Sequence, residues 1–376
     1  MSDVQRVLIV GGGIGGLSAC LALRQAGLYV EVVEINPDWS VYGVGIIQPG
    51  NAIRALDALG LAEQVVAAGF PMDGSRFHDR DGNVLANLPF ERVAGPAYPP
   101  MNGITRLRLH EILTTAVRES GAVVRLGLTV EHIDDGPGGV QVAFTDGTSG
   151  AYDLVVGADG IHSLVRRLVF DPDLAPAYTG QVCWRYNVPR PEEVDRLWMF
   201  VGTDGKAGCV PLAPDLMYIL LIEEPPPGGE RVEDGRLAEV FRERLAEFGG
   251  VIGRMRDEVV TDPAQVVLRS VQSVLVPRPW YRDRVVLIGD AAHATSPHVG
   301  QGAAMAMEDG IVLADELGRD QPIGAALAGF DRRRYDRCKF IYDVSRQIGQ
   351  WELERRHDAD FAGLTMRSTL VTAEPI

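Results

Sequence analysis

The chain has 376 residues, four cysteines and a formal charge of −15. That length suits two domains with a large core, and so acidic a balance disfavours nucleic acid or an anionic membrane as a partner. Cys20, Cys183, Cys209 and Cys338 show no C-x-x-C and no ligand spacing, which reads as buried small hydrophobes in a reducing cytoplasm with no structural metal.

The chain opens on VLIVGGGIGGLSACLALRQAGLYVEVVEI, residues 7–35. Residues 7–10 have the composition of a buried parallel strand, which breaks at once into glycine. Gly11, Gly13 and Gly16 fit G-x-G-x-x-G, with Ile14 and Gly15 between them. The first glycine permits the tight turn, the second lets backbone approach a pyrophosphate, and the third lets helix pack close to strand. A helix to Gly27 aims its free N–H groups at that phosphate. A second strand, 29–33, ends at Glu34, where a carboxylate suits the hydroxyls of an unphosphorylated ribose. Alone, such glycines also describe an ordinary strand-to-helix turn. Here strand, glycines, helix, strand and acid arrive in register, which points to dinucleotide binding.

With a strand starting this early and no apolar run long enough to cross a bilayer, the expectation is a soluble protein without leader or anchor. Gly43, Gly45, Pro49 and Gly50 then mark a loop able to approach a ligand, with Asn51 as N-cap of a helix over 52–59. Short strands from 74 to 88 surround the hairpin signal Asp81-Gly82, and 92–102 reads as a return linker. A helix begins near Arg106 and ends at Gly121, followed by strands 123–126, 129–133, 140–144 and 152–156. The last runs into GADGIHSLVRRLV, a second glycine-bearing turn. From 181 to 273 the chain is strand-rich, with one helix over 236–248 and an acidic exposed loop, EEPPPGGERVEDG. Strand 285–288 runs into a third glycine turn, GDAAHATSPHVGQG, and a helix over 302–317. The tail, from 330 to about His357, reads as one long charged helix.

Three such turns in this order resemble the single-component FAD-dependent aromatic hydroxylases typified by p-hydroxybenzoate and salicylate hydroxylases. Asp159-Gly160, with Ser163 and Arg166, looks like that family's DG motif, and Gly289-Asp290, with His293, like its GD motif. Within the family, WSVYGVGIIQPGN and GQVCWRYN look most like the branch that includes 4-methyl-5-nitrocatechol monooxygenase. The resemblance implies an α/β fold: a glutathione-reductase-like, Rossmann-type FAD-binding domain with an inserted, mostly antiparallel β-sheet substrate domain and a C-terminal helix. In residues, 1–73, 101–178 and 274–330 form the discontinuous FAD domain, 74–100 and 179–273 the substrate domain, and 331–376 the helical tail. It implies FAD as cofactor, NADPH or NADH as transient reductant, dioxygen as co-substrate, and a flavin hydroperoxide that hydroxylates a small phenolic ring. A monomer or homodimer is expected.

By the same resemblance Arg106 reaches the FAD pyrophosphate and Val130 offers backbone to the adenine. Asp159 orders its turn and serves the cofactors, or merely caps. Asp290 accepts from ribityl hydroxyls, and Gly300, Gly302 and Ala303 open a helix whose N–H groups face the flavin ring. The inward residues of the inserted sheet are drawn from Arg185, Tyr186, Cys209 and Tyr218, with Pro297 at the ring; alternation allows Arg185 or the Trp184/Tyr186 pair to face the site, not both. Tyr218, in an apolar neighbourhood, is the candidate catalytic phenol, with a satisfied core tyrosine as the alternative. His78, His293 and His298 titrate near neutral pH in principle. Two rival functions stand: hydroxylation of a polycyclic or antibiotic scaffold, and redox sensing by a flavin-binding protein without turnover.

Overall fold

The computed structural model describes residues 4–41, 43–136, 138–203, 205–225, 232–356 and 358–376. Its central sheet has six strands in the order Tyr281–Arg282, Val285–Leu287, Leu154–Gly157, Arg6–Val10, Tyr29–Glu34 and Val123–Leu126. All pairs are parallel except the first. Val7 to Val10 are at most 1% exposed, as befits a strand covered on both faces. Helix Ile14–Gln25 crosses helix Gly302–Gly318 on small residues. A Cβ on Gly310 would lie 2.6 Å from the Ala19 Cα, and one on Gly15 3.2 Å from the Ala306 Cβ, so backbone packs almost on backbone.

The second large sheet has seven strands: Val267–Ser273, Ala177–Pro189, Leu216–Glu223, Gly205–Ala213, Leu197–Val201, Gly74–Asp79 and Val84–Pro89. It is antiparallel apart from the pair Leu197–Val201 with Gly74–Asp79. One face carries Trp184, Tyr186, Cys209 and Met217, which pack with Phe241, Leu245 and Ile252 of two helices, Leu237–Arg244 and Gly250–Glu258, and the turn between them. The other face carries Cys183, Val210, Leu212, Tyr218 and Leu220, which pack with Val44. The molecule is thus an α/β flavoprotein fold, a Rossmann-type unit beside a mostly antiparallel sheet.

Several elements differ from the sequence reading. The stretch read as a loop able to approach a ligand holds a strand, Gly45–Pro49, which pairs with Met101–Thr105 at the end of the expected linker. Helix Gly50–Ala58 is flanked by Pro49, and Asn51 does not cap it; its amide donates to Gln301 and Glu308 instead. Strand 152–156 is two strands, Ser149–Tyr152 and Leu154–Gly157. Between them the Asp153 carboxylate accepts from the N–H groups of Gln5 and Arg6, and the chain changes sheet there. The helix expected over 236–248 is shorter, Leu237–Arg244, and a second, unexpected helix, Gly250–Glu258, follows it. The long helix starts earlier than expected, Ile323–Leu353, after Pro322; His357 lies outside the described residues. A further helix, Phe361–Ala373, follows it. The middle of the acidic loop, 226–231, also lies outside the described residues, while Glu223 before it is buried, accepting from Trp184 and Arg244. All four cysteines are free and buried.

Candidate active site

The glycine loop has the geometry its three roles require. Gly11 has φ +110°, and a Cβ there would sit 2.4 Å from the Ala158 carbonyl oxygen. A Cβ on Gly16 would sit 2.0 Å from the Gly11 oxygen, so helix and turn touch through it. Gly13 is the reverse: a Cβ there meets nothing within 4 Å, leaving open space in front of the free N–H groups of a helix start. Glu34 accepts from the N–H of Gly12 at 2.7 Å and of Asn36 at 2.8 Å. It therefore shapes the loop as well as lying at its ligand side. Trp39, which sequence reasoning passed over, donates from its indole N–H to the Gly12 oxygen at 3.0 Å. Val130 starts strand Val130–Gly136 and is wholly buried, so its side chain is not on offer to a ligand there.

The second turn is self-contained. Ser163 Oγ donates to Asp159 Oδ1 at 2.5 Å, and the N–H groups of Leu164 and Val165 donate to Oδ2 at 2.7 and 3.0 Å. The structure thus gives Asp159 the capping role. Arg166, 1% exposed, ties this turn to the third by donating to the carbonyls of Ile161 and Ala291. In the third turn Gly289 has φ +57°. His293 Nε2 lies 2.6 Å from Asp309 Oδ2, and Arg334, wholly buried, binds Asp309 and Glu308 at 2.7 Å each. Asp309, with Cys338 and Glu308, draws positive charge onto His293 and Arg334 and lifts both pKa values despite burial. His293 is therefore part of a buried ionic cluster. His78 is stacked on Phe200 and tilted against Trp198, its pKa lowered by burial and by Arg76.

Three groups from distant parts of the chain come together around Arg106: Arg185, Tyr218 and Asp290. Each of Arg106 and Asp290 has an open surface yet is ringed by protein, the signature of a cleft floor. Arg106 is lowered by that enclosure and by Arg185, and held up by Asp290 and Tyr218. Burial raises the Asp290 carboxyl, against His293 and Arg106. Among the described residues the side chains of Arg106, Arg185 and Asp290 make no hydrogen bond or ion pair; their interactions are through space. Asn187 lies opposite Tyr218 and Leu220 opposite Arg185. Strand alternation places Cys183, Arg185 and Asn187 on one face and Trp184 and Tyr186 on the other. The structure corrects two candidates accordingly. Tyr186 and Cys209 belong to the helix-covered face: the Tyr186 hydroxyl contacts the Val259 carbonyl at 3.4 Å, and Cys209 is fully buried in that core. Gly43 and Gly45, on the glycine stretch before residue 50, close the site. A Cβ on Gly43 would lie 2.7 Å from Arg106 Cδ, and one on Gly45 2.9 Å from a Tyr218 ring carbon.

The match to known proteins agrees with this geometry. The family model of the FAD binding domain covers residues 4–321. The chain belongs to the FAD-dependent aromatic hydroxylases. It is 35% identical over 353 residues to the aurachin C monooxygenase/isomerase of Stigmatella aurantiaca, covering 92% of this chain and 90% of that one. It is 34% identical over 355 residues to the 2-heptyl-3-hydroxy-4(1H)-quinolone synthase of Pseudomonas aeruginosa, with the same coverages. Klebsiella pneumoniae HpxO, solved with FAD and uric acid, superposes with a TM-score of 0.83 at 26% identity, over 100% of this chain and 94% of that one. This monooxygenase therefore takes FAD. The residues present fit that group: open space at Gly13, an unpaired guanidinium at Arg106, an unpaired carboxylate at Asp290. Gly300, whose added Cβ meets nothing within 4 Å, precedes the N-terminus of helix Gly302–Gly318, with Ala303 in its first turn.

Proposed function

We propose that this FAD-dependent monooxygenase hydroxylates an aromatic ring bearing a hydroxyl or oxo group, held against the sheet face that carries Arg185 and Tyr218, with NADPH or NADH as reductant. The observation that carries this reading is the meeting of Arg185, Tyr218 and Arg106 beside an apolar wall of Val44, Val210, Leu212 and Leu220. FAD, once bound, activates dioxygen and supplies the oxygen atom that is transferred. The chain's own residues orient and polarise the ring. Burial pushes the Tyr218 phenol up to about 12, against Arg185 and Arg106. It stays protonated at neutral pH and donates a hydrogen bond to the ring oxygen. Arg185 favours negative charge on that oxygen, which enriches the ring for attack by an electrophilic oxygen. The apolar wall excludes water. Pro297, in the turn before Gly300, borders the same space on this reading.

A bicyclic ring is favoured over a single one by the 2-heptyl-3-hydroxy-4(1H)-quinolone synthase, whose identity of 34% exceeds the 31% to a 3-hydroxybenzoate 6-hydroxylase. The test is rapid-mixing reduction of the FAD-loaded protein by NADPH and by NADH, with and without phenols, urate and 2-alkyl-4-quinolones. Faster flavin reduction with one class, and incorporation of one atom of labelled dioxygen into it, is the expected outcome. Reduction that no aromatic compound accelerates overturns the reading in favour of a flavin-binding sensor.

A further inference from the structure

Asn51 does not cap its own helix, and its amide points elsewhere. The residue is 2% exposed, and Nδ2 donates to Gln301 Oε1 at 3.0 Å and to Glu308 Oε1 at 3.1 Å. Glu308 is firmly held. It is wholly buried and accepts from Arg334 at 2.7 Å and from Arg337 at 2.9 and 3.0 Å. The same Arg334 binds Asp309, which accepts from the Gly289 N–H at 2.8 Å in the turn that carries Asp290. One buried ionic cluster is therefore the fixed point both for that turn and, through Asn51, for Gln301.

Gln301 stands at the N-cap of helix Gly302–Gly318, between two glycines. Gly300 has φ +64°, and neither glycine offers a side chain, so the Gln301 amide is the handle by which this stretch of backbone can be held. The stretch also lies on the cofactor's path. One turn into the helix, the Ala306 Cβ would be 3.2 Å from a Cβ on Gly15 of the cofactor loop and 3.0 Å from one on Gly289. The helix start thus sits between that loop and the turn of Asp290. Its free N–H groups and the positive end of its dipole face the open space in front of Gly300. We propose that Asn51 is a positioning residue for the flavin: by gripping Gln301 it fixes those N–H groups where they stabilise the negative charge that a flavin ring gains on reduction. Without that grip the two glycines let the helix start drift, and the stabilisation falls with distance.

The inference rests on FAD binding, not on the substrate reading, and it is read without turnover. The midpoint potential of protein-bound FAD is measured by spectroelectrochemical titration, alongside unfolding of the protein without cofactor. Asn51→Leu, similar in size, is expected to cut the preference for reduced over oxidised flavin about tenfold, a fall of about 30 mV for a two-electron couple. Gln301→Leu is expected to give the same fall, and the double variant no more than either, because the two residues act as one. An unchanged potential in Asn51→Leu, even with lower stability, makes Asn51 a brace between helices and overturns the assignment. Falls that add in the double variant overturn it too. Should Asn51→Leu not fold, Asn51→Ser, too short to reach Gln301, takes its place in both comparisons. A protein that binds FAD but hydroxylates no ring leaves these potentials intact and fails only the proposed function.

Discussion

A single added carbon separates two kinds of glycine in the cofactor loop. Gly16→Ala forces its Cβ onto the Gly11 carbonyl oxygen, and overpacking of that sort costs about 1–3 kcal/mol; denaturant unfolding of the protein without cofactor reads it. In Gly13→Leu the Cβ meets no protein atom within 4 Å. Its unfolding curve is expected to stay put while FAD affinity, by fluorescence quenching, falls about a hundredfold, because the side chain takes the phosphate's place. In the cleft, Tyr218→Phe lowers kcat by about 10²-fold with FAD affinity unchanged, whereas Tyr186→Phe, on the helix-covered face, changes kcat less than about threefold. Steady-state kinetics with any accepted substrate separates the two. These residues were unequally legible in the sequence. The glycines and Glu34 belong to one local pattern whose spacing is its own evidence. Alternation divides Arg185 from Tyr186, but nothing in the strand itself says which face meets the cofactor; that is decided by Phe241, Leu245 and Ile252, which cover the other side from far along the chain.

Whole elements were readable where apolar periodicity repeats and unreadable where distant partners hold them. Helix Gly302–Gly318 announced itself. Helix Phe361–Ala373 did not, because Thr365, Ser368, Thr369 and Thr372 interrupt any apolar stripe and Met366 and Leu370 face solvent. It is anchored by side chains no local window contains. Arg54 donates to the carbonyls of Thr372, Ala373 and Glu374, and Arg337 to those of Val371 and Thr372. Arg337→Met is expected to cost about 1–3 kcal/mol, measured by denaturant unfolding, since it removes the side-chain donor of the Val371 carbonyl and two of the bonds to Glu308. The long helix carries a charge effect of definite sign. Burial alone would raise the Glu352 carboxyl, but Lys206 and His298 bring it down to about 2. A carboxyl lowered in the folded state stabilises above its unfolded value, near 4.5, and the gain is lost as pH falls from there toward about 2. Glu352→Gln is therefore destabilising by up to about 3 kcal/mol at pH 7, by a margin that shrinks through that acid window.

For the molecule as a whole, the unpaired Arg106 and Asp290 mean that cofactor and fold support each other. FAD at about a hundred times its dissociation constant should add about 2.7 kcal/mol to stability, visible as a rise in melting temperature that Gly13→Leu abolishes. The two-sheet architecture was legible because strand–glycine–helix turns recur three times. The small sheet of Gly45–Pro49, Phe70–Met72 and Met101–Thr105 was not, since its strands are short and draw partners from about 30–60 residues away.

The order of the central sheet has a further consequence, for biosynthesis. Strand Arg6–Val10 lies beside Leu154–Gly157, which in turn lies beside Val285–Leu287. The glycine loop leaves the ribosome about 275 residues before Asp290 does. A nascent chain must wait while those residues are made, unable to grip the cofactor, with an apolar edge in need of shelter. Ribosome-stalled chains ending before the third turn should retain no flavin, and those that expose it should acquire flavin abruptly.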